Sequence, residues 1–204
     1  MIKIGIIDSG FETVEGNSVA FFPDGSRTAD LGPHALDHGK VIASFIRTEG
    51  VELLSAKVFH NTLSTSARQV AEALGYLSES GVSLIHMSLG LPRDDEQIAR
   101  ACRRFIASGG ILVASTPSMG SVTVYPAAYD GVVRVCADGR CENDEIRLVG
   151  TAPLRYGASP YSSHPQVRGS SVAAARVCGR LTRWLTEGVE RHDVWRKLAT
   201  EMTR

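Results

Sequence analysis

The chain has 204 residues, 43% of them hydrophobic, and this length and composition suit one globular α/β domain that spans residues 1–204. Its 22 lysines and arginines balance 22 aspartates and glutamates, so the sequence lacks the basic excess of a nucleic-acid-binding protein and the charge that would draw it to an anionic membrane. No stretch approaches the roughly 18 consecutive apolar residues of a membrane span. We therefore expect a protein that binds neither nucleic acid nor membrane.

Apolar runs typical of buried strands alternate along the chain with amphipathic patterns typical of helices. The predicted strands cover residues 2–7, 51–59, 82–87, 111–114 and 132–136, with further short strands in 147–156. The predicted helices cover residues 36–47, 66–80, 94–108, 171–187 and 193–202. Strands that are apolar throughout and separated by helices predict an α/β fold with a mostly parallel central sheet and helices on both faces.

The N-terminus and the cysteines bear on the cellular compartment. The first strand begins at once, and one basic residue with a short apolar stretch does not make a secretory signal, so we expect a cytoplasmic protein. The four cysteines are too few for a disulfide framework and show no metal-ligand spacing. Free thiols are therefore expected, with a local disulfide between Cys136 and Cys141 as the alternative, and neither a metal nor a cofactor is predicted.

Polar residues follow three of the predicted strands directly. Asp8 follows the first strand, Ser88-Leu89-Gly90 follows the third, and the segment from Ser115 to Ser118 follows the fourth. In parallel sheets, functional groups gather outside the carboxyl ends of the strands. The sequence therefore predicts that these segments lie at one edge of the sheet.

A histidine and a serine extend this set. His38 lies at a predicted helix start, and Ser171 enters a predicted helix of small residues. A serine hydroxyl is a weak nucleophile that needs a base, histidine has a suitable pKa of about 6.5, and a buried carboxylate fixes the tautomer of the imidazole. Each of these residues alone is more often a helix cap or a turn residue. Their combination predicts a triad of Asp8, His38 and Ser171.

The order Asp, His, Ser and the strings around these residues resemble the subtilisin-like serine peptidases. Asp8-Ser9-Gly10 is similar to the Asp-(Thr/Ser)-Gly of that family. His-Gly-Lys-Val-Ile-Ala from His38 is similar to its His-Gly-Thr-x-Val-Ala, and Gly-Ser-Ser-Val-Ala around Ser171 to its Gly-Thr-Ser-Met-Ala. Residues 82–90 and 125–135 are similar to the strand that ends in Asn-Met-Ser-Leu-Gly and to the Tyr-Pro-Ala-x-Tyr segment. The resemblance covers nearly the whole chain.

The resemblance implies the three-layer subtilisin-like fold and a serine endopeptidase that acts on a peptide or protein substrate. It implies that Ser171 attacks the peptide bond, that His38 is general base and then general acid, and that Asp8 orients His38. The backbone of residues 88–90 would pair with an extended peptide as an added strand. By analogy within the family, the substrate is a specific precursor peptide.

The chain departs from the family pattern in the loop after the fourth predicted strand. Where the family has Ala-Ala-Gly-Asn-x-Gly, whose asparagine donates a hydrogen bond to the oxyanion, this chain reads Ala-Ser-Thr-Pro-Ser-Met-Gly from Ala114 to Gly120. This alignment places Ser118 at the asparagine position, and Thr116 is the other candidate donor. In subtilisin, loss of the asparagine donor lowers kcat by about 10²–10³. The family's Asn before Met-Ser-Leu-Gly is His86 here, which we interpret as a buried residue with a polar partner.

Other functions stay open at the level of the sequence. The altered loop favours a weak or inactive domain that acts as a peptide- or protein-binding module, although such a module has no chemical need for the triad. Transpeptidation, in which an amine intercepts the acyl-enzyme, is not distinguished from hydrolysis. Because few residues precede Asp8, we expect no propeptide, and a partner protein or a second copy in a homo-oligomer could cover exposed surface. The acidic runs 94–96 and 142–145 are interpreted as helix-start and loop charges rather than calcium ligands.

Overall fold

The computed structural model describes residues 1–14, 16–30, 32–118, 122–150 and 155–201, and within them nine strands form one sheet. The strands are β1 (Ile2–Asp8), β2 (Ser18–Phe21), β3 (Arg27–Ala29), β4 (Val51–Lys57), β5 (Leu84–Met87), β6 (Ile111–Ser115), β7 (Val132–Ala137), β8 (Ile146–Val149) and β9 (Arg155–Ala158). The helices are α1 (His38–Ile46), α2 (Ala67–Glu79), α3 (Glu96–Ala107), α4 (Ser170–Thr186) and α5 (Val194–Glu201).

The sheet is mostly parallel, as the sequence predicted. Its strand order is β3-β2-β4-β1-β5-β6-β7-β9-β8, and among the described strands only the edge pairs β2–β3 and β8–β9 are antiparallel. β1 pairs with β4 on one side and with β5 on the other. The chain therefore builds the sheet outward from β1 in both directions. In open α/β sheets the crevice above such a switch point is the place where ligands bind.

Helices cover both faces of the sheet, which confirms the predicted three-layer fold. Successive side chains of a strand point to opposite faces. Accordingly, Ile6 of β1 belongs to a buried cluster with residues of α1, α4 and α5, such as Ile42. Its neighbour Ile7 belongs to a second buried cluster with residues of α2 and α3, such as Leu74. The buried side chains of α4 begin at its third residue, so the start of this helix is held tightly against the sheet edge.

The structure contains two strands, β2 and β3, that the sequence did not predict. β2 has four residues and β3 has three exposed residues, so neither is long enough for an alternating pattern to stand out. β2 exists because it pairs in parallel with β4, and β3 because it pairs with β2. The predicted helix at 36–47 is also shorter in the structure, because Asp37 is the N-cap of α1.

All four cysteines are buried and none forms a disulfide, so the predicted free thiols are confirmed and the bridge between Cys136 and Cys141 is excluded. Burial raises the pKa of Cys102 to about 12 and that of Cys141 to about 11. These thiols are therefore protonated at neutral pH, which makes them poor nucleophiles.

Candidate functional site

Asp8 and His38 form a hydrogen-bonded pair at the carboxyl end of β1. The Asp8 side chain is buried, and its Oδ1 lies 2.7 Å from Nδ1 of His38 and 2.7 Å from the backbone nitrogen of Ser9. An ionised carboxylate only accepts hydrogen bonds, so Nδ1 of His38 is the donor. The neutral imidazole therefore keeps its lone pair on Nε2, which is the nitrogen that a general base needs.

Ser9 and two glycines fix the position of His38 relative to Asp8. The Ser9 hydroxyl accepts a hydrogen bond from the backbone nitrogen of Gly39 at 2.9 Å and donates to the carbonyl of Leu36 at 3.3 Å. Gly10 has a positive φ of 85°, which suits glycine at the turn after β1. A Cβ at Gly39 would lie 2.5 Å from the Gly10 carbonyl oxygen. Only glycine therefore allows α1 to start this close to the end of β1.

The environment of His38 favours its protonated form. Burial by itself lowers the pKa of His38, but the hydrogen bond and the negative charge of Asp8 outweigh that effect, and the pKa is raised above its ordinary value of 6.5. The Asp8 carboxylate would stabilise the imidazolium that forms when His38 accepts a proton. His38 can therefore act first as a base and then, in its charged form, as an acid.

Ser171 stands in the first turn of α4, and its neighbour Ser170 holds that turn in place. The Ser170 hydroxyl accepts a hydrogen bond from the backbone nitrogen of Ala137, at the end of β7, at 3.1 Å. Ser171 is half-buried, and its side chain makes no hydrogen bond with any described residue. Its hydroxyl is therefore free to meet a substrate.

One cavity of about 300 Å³ brings the predicted residues together. Its lining includes His38, Ser171 and the predicted substrate-binding segment Ser88-Leu89-Gly90, while Asp8 is buried behind His38. No hydrogen bond joins His38 to Ser171 among the described residues, and such contacts often tighten only when substrate is bound. These residues come from four separate parts of the chain and meet above the switch point at β1.

The sequence missed part of the cavity wall. Phe59, Leu91 and the segment Leu63-Ser64-Thr65 also line it, and Leu63 is 60% exposed. Phe59 and residues 63–65 follow the carboxyl end of β4, which neighbours β1, so the strand-end argument that found Asp8 could have found them. Four of the ten lining residues have large apolar side chains, which makes the cavity suited to an apolar group.

The two predicted oxyanion hydroxyls, Thr116 and Ser118, lie after the end of β6. The backbone nitrogen of Thr116 donates to the Val135 carbonyl at 2.8 Å, and Ser118 is exposed. Neither belongs to the cavity lining among the described residues. The alignment of Ser118 depends on Gly120, which lies outside the described residues, so the oxyanion role stays a prediction. Pro117 lies between Thr116 and Ser118, and its carbonyl accepts a hydrogen bond from Arg155 at 3.3 Å.

His86 has the polar partner that was predicted from the sequence. The side chain is fully buried in β5, and Nε2 lies 2.6 Å from the hydroxyl oxygen of Ser88. Burial lowers the pKa of His86 to about 4. The charge of Asp8 raises this pKa by a smaller amount, and the charge of His38 lowers it. His86 is therefore neutral at physiological pH and lies close to the predicted triad.

Neither a metal centre nor a membrane-spanning helix is found in the part of the chain that the structure describes. No group of three or more His, Cys, Asp or Glu side chains there is arranged to hold a metal ion. No helix there combines the length and the hydropathy needed to cross a bilayer. Asp95, in the first acidic run, is the N-cap of α3 and accepts hydrogen bonds from the backbone of Gln97 and Ile98, which agrees with its interpretation as a helix-start charge.

Comparisons with known proteins agree with this architecture. The chain is 25% identical to subtilisin DY of Bacillus licheniformis over 203 residues, which cover 87% of this chain and 74% of the relative. It is 24% identical to the major intracellular serine protease of Bacillus subtilis (strain 168) in an alignment of 231 positions. This alignment covers 97% of this chain and 72% of the relative. The S41 psychrophilic protease has a similar fold, with a TM-score of 0.73 at 20% identity over 98% of this chain and 82% of that protein.

No protein-family model matches the chain, so its likeness to known proteins depends on these relatives and on its fold. The relatives cover most of the chain, and the neighbouring structure has the same layered arrangement. In sequence over most of its length, and in fold, the chain is similar to the subtilisin-like serine proteases.

Proposed function

We propose that this protein is a serine endopeptidase in which Ser171 is the nucleophile, His38 the general base and Asp8 the residue that orients His38. The observation that carries the proposal is the 2.7 Å hydrogen bond between Asp8 and His38 beneath a cavity that His38 and Ser171 both line. The serine protease relatives support the reaction class. The whole chain would then act as a single peptidase domain.

The proposed reaction uses the free lone pair on Nε2 of His38. This nitrogen takes the hydroxyl proton of Ser171 while the serine oxygen bonds to the carbonyl carbon of the peptide. The imidazolium then gives the proton to the leaving amine as the carbon–nitrogen bond breaks, which leaves an acyl-enzyme that water hydrolyses with His38 again as base. The backbone N–H of Ser171, at the positive end of α4, is one donor to the oxyanion.

The cavity wall supports an extended peptide with an apolar side chain as the substrate. The segment 88–91 follows β5 and is held by two backbone hydrogen bonds between Leu91 and Tyr125, of 2.7 and 2.9 Å. Held in this way, the backbone of residues 88–90 can pair with a peptide as an added strand. Phe59, Leu63 and Leu89 would surround an apolar side chain of that peptide. Selectivity of this kind fits the processing of a specific precursor peptide.

The four free thiols support a reducing compartment, and we infer that the reaction takes place in the cytoplasm. One relative is named as an intracellular protease, in line with this inference. Hydrolysis and transpeptidation share the acyl-enzyme. Adding an amine nucleophile to the peptide assay separates them, because only a transpeptidase would give a new amide as its main product.

A fluorophosphonate probe tests the proposed function. The probe should form a covalent adduct with the folded protein, and mass spectrometry of a digest should locate the adduct on Ser171. The same preparation should cleave an apolar peptide, with cleavage abolished after labelling. A folded protein that neither reacts with the probe nor cleaves a panel of apolar peptides would contradict the proposal.

A binding module is the second candidate, and the geometry of the oxyanion loop is the observation that favours it. Among the described residues, neither Ser118 nor Thr116 lines the cavity, and Ser171 does not bond to His38. A module of this kind would bind a peptide in the same cavity without labelling or cleavage. Peptide binding measured by calorimetry, together with a failed labelling reaction, would favour this candidate over the peptidase.

The rate of labelling should depend on pH through His38. Because the pKa of His38 is raised above 6.5 and the base must be neutral, we expect the rate to fall as pH decreases, with its midpoint above pH 6.5. The matched control is His192→Gln, which removes a histidine that is 77% exposed and should leave the profile unchanged. A labelling rate that stays flat down to pH 5 would show that His38 is not the base.

Ser118→Asn is expected to raise kcat. The longer amide side chain extends the reach of a hydrogen-bond donor from the Ser118 position toward the oxyanion, and that donor accounts for about 10²–10³ in kcat in subtilisin. Thr116→Val is the companion variant, since it removes the other hydroxyl and keeps the backbone bond to Val135. Steady-state kinetics on one peptide compares the three proteins. An unchanged or lower kcat in Ser118→Asn would refute the alignment of Ser118 with the asparagine.

A further inference from the structure

Two buried polar atoms below the cavity lack a hydrogen bond in the described structure, Oδ2 of Asp8 and Nδ1 of His86. Asp8 is 1% exposed and His86 is fully buried, so solvent does not satisfy either atom. Buried polar groups in native proteins are nearly always paired, and an unpaired one is costly. The two atoms therefore need a common explanation.

The sheet places these two side chains on the same face of neighbouring strands. β1 and β5 run parallel with Ile6 opposite His86, so Asp8 lies one pleat further along the same face. This face carries the buried cluster that includes Ile6 and Leu84. His86 and Asp8 are thus diagonal neighbours, and the charge of Asp8 acts directly on His86.

Asp8 and His38 are the charged groups that act on His86. β6 places Val113 opposite His86, and the residues of α4 next to Ser171, Val172 to Ala175, are apolar and buried. On its own strand, His86 contacts the hydroxyl of Ser88. The choice between the two neutral tautomers of His86 is therefore set by Asp8 on one side and Ser88 on the other.

Either tautomer can form the hydrogen bond with Ser88, and the two differ in what Nδ1 presents to the negative charge of Asp8. A proton on Nε2 would donate to Ser88 but leave the Nδ1 lone pair buried near the Asp8 carboxylate, where two electron-rich atoms repel each other. A proton on Nδ1 lets that nitrogen face the carboxylate as an N–H dipole, and Nε2 then accepts the hydroxyl proton of Ser88 at 2.6 Å.

We propose that His86 is a positioning residue that keeps its single proton on Nδ1, facing Asp8, and accepts the hydroxyl proton of Ser88 on Nε2. Asp8 then interacts with two imidazoles, with Oδ1 bonded to His38 and Oδ2 left without a hydrogen-bond partner of its own. The Ser88 hydroxyl, with its proton directed inward, presents only lone pairs to the cavity and accepts a hydrogen bond from an N–H of a bound peptide. This last consequence depends on the proposed function, whereas the tautomer of His86 does not.

Nitrogen-15 NMR of the resting protein, labelled at its histidines, tests the tautomer directly. Between pH 5.5 and 8, the expected spectrum of His86 has a protonated Nδ1 and an unprotonated Nε2, and it stays unchanged while His38 titrates. The His86→Asn variant assigns the signal. A proton found on Nε2 of His86 would overturn the proposal. Because no substrate is needed, this result is separate from the outcome of the probe reaction.

Two substitutions at position 86 test the effect on the site. His86→Leu removes the N–H dipole that compensates the Asp8 charge, so the pKa of His38 should rise further and kcat should fall about tenfold. His86→Asn retains a donor and an acceptor and should recover most of the kcat and the original pKa of His38. A purely structural role for His86 would change unfolding temperature without moving the pKa of His38, and that result would refute the proposal.

Ser88→Ala keeps the proposal testable even if His86→Leu does not fold. Loss of the inward-directed hydroxyl should raise KM for peptides severalfold with a smaller effect on kcat, and Nδ1 of His86 should stay protonated because Asp8 is unchanged. Movement of the proton to Nε2 in this variant would show that Ser88, and not Asp8, sets the tautomer. A wild type that has the expected tautomer but fails to react with the probe would retain the inference about His86 and reject the peptidase.

Discussion

Replacing Ser171 by alanine is expected to lower kcat for peptide cleavage by about 10⁶-fold, the size of the loss when a triad serine is removed from subtilisin. The fold should tolerate the change, because the Ser171 side chain is half-buried and makes no hydrogen bond with a described residue. Alanine also favours the helical conformation of the first turn of α4. Steady-state kinetics and thermal unfolding of the same preparation measure both effects.

Ser170→Ala is the matched control, since it removes a hydroxyl one residue away. The backbone nitrogen of Ala137 loses the acceptor that Ser170 provides at 3.1 Å, and such a loss costs about 1 kcal/mol or more. For a domain of this size, each kcal/mol lowers the unfolding temperature by about 2–4 °C. We expect Ser170→Ala to be less stable but active, and Ser171→Ala to be stable but inactive. Equal loss of activity in both variants would mean that the start of α4 is only structural.

The sequence located the strand ends of the site because its long parallel strands carry a strong signal. Six residues of β1, five of them apolar or buried, lead directly to Asp8, and β5 leads directly to Ser88, so both residues follow from the strand-end rule alone. His38 and Ser171 lie on helices instead. Their assignment needed the combination with Asp8 and was strengthened by the resemblance to a family, since nothing in a helix start by itself distinguishes a base or a nucleophile from a cap.

Other features were beyond prediction because they depend on contacts between distant segments. β2 and β3 are short strands that form through pairing with β4. The path of the loop after β6 depends on a hydrogen bond from Arg155, which is 38 residues away from Pro117. The hydrogen bond between Asp8 and His38 joins β1 to α1 across 30 residues of the chain. A sequence pattern does not report contacts between segments that lie this far apart in the chain.

Asp8→Asn is expected to lower kcat by about 10⁴-fold. The amide oxygen can still accept hydrogen bonds from Ser9 and His38 at the Oδ1 position, so His38 keeps a partner. The negative charge is lost, however, and with it the stabilisation of the imidazolium that forms as Ser171 attacks. The expected loss in kcat therefore reports the charge of Asp8 together with the tautomer of His38 that this charge enforces.

The same substitution should change the pH dependence of the residual activity in a defined direction. In the native protein, burial lowers the pKa of His38 and the charge and hydrogen bond of Asp8 raise it to a value above 6.5. Without the charge, the effect of burial dominates and the pKa falls, so the residual activity should persist to lower pH than in the wild type. Proton NMR titration of His38 measures the same shift without turnover.

Asp95→Asn is the matched control for the charge, because asparagine replaces an aspartate that caps α3 away from the cavity lining. Asparagine is as good an N-cap as aspartate, so stability should change little, and both kcat and the pKa of His38 should stay as in the wild type. A pKa of His38 that stays above 6.5 in Asp8→Asn would mean that another group raises it. Asp8 would then act by position alone, and the role of stabilising the charged His38 would have to be assigned to that other group.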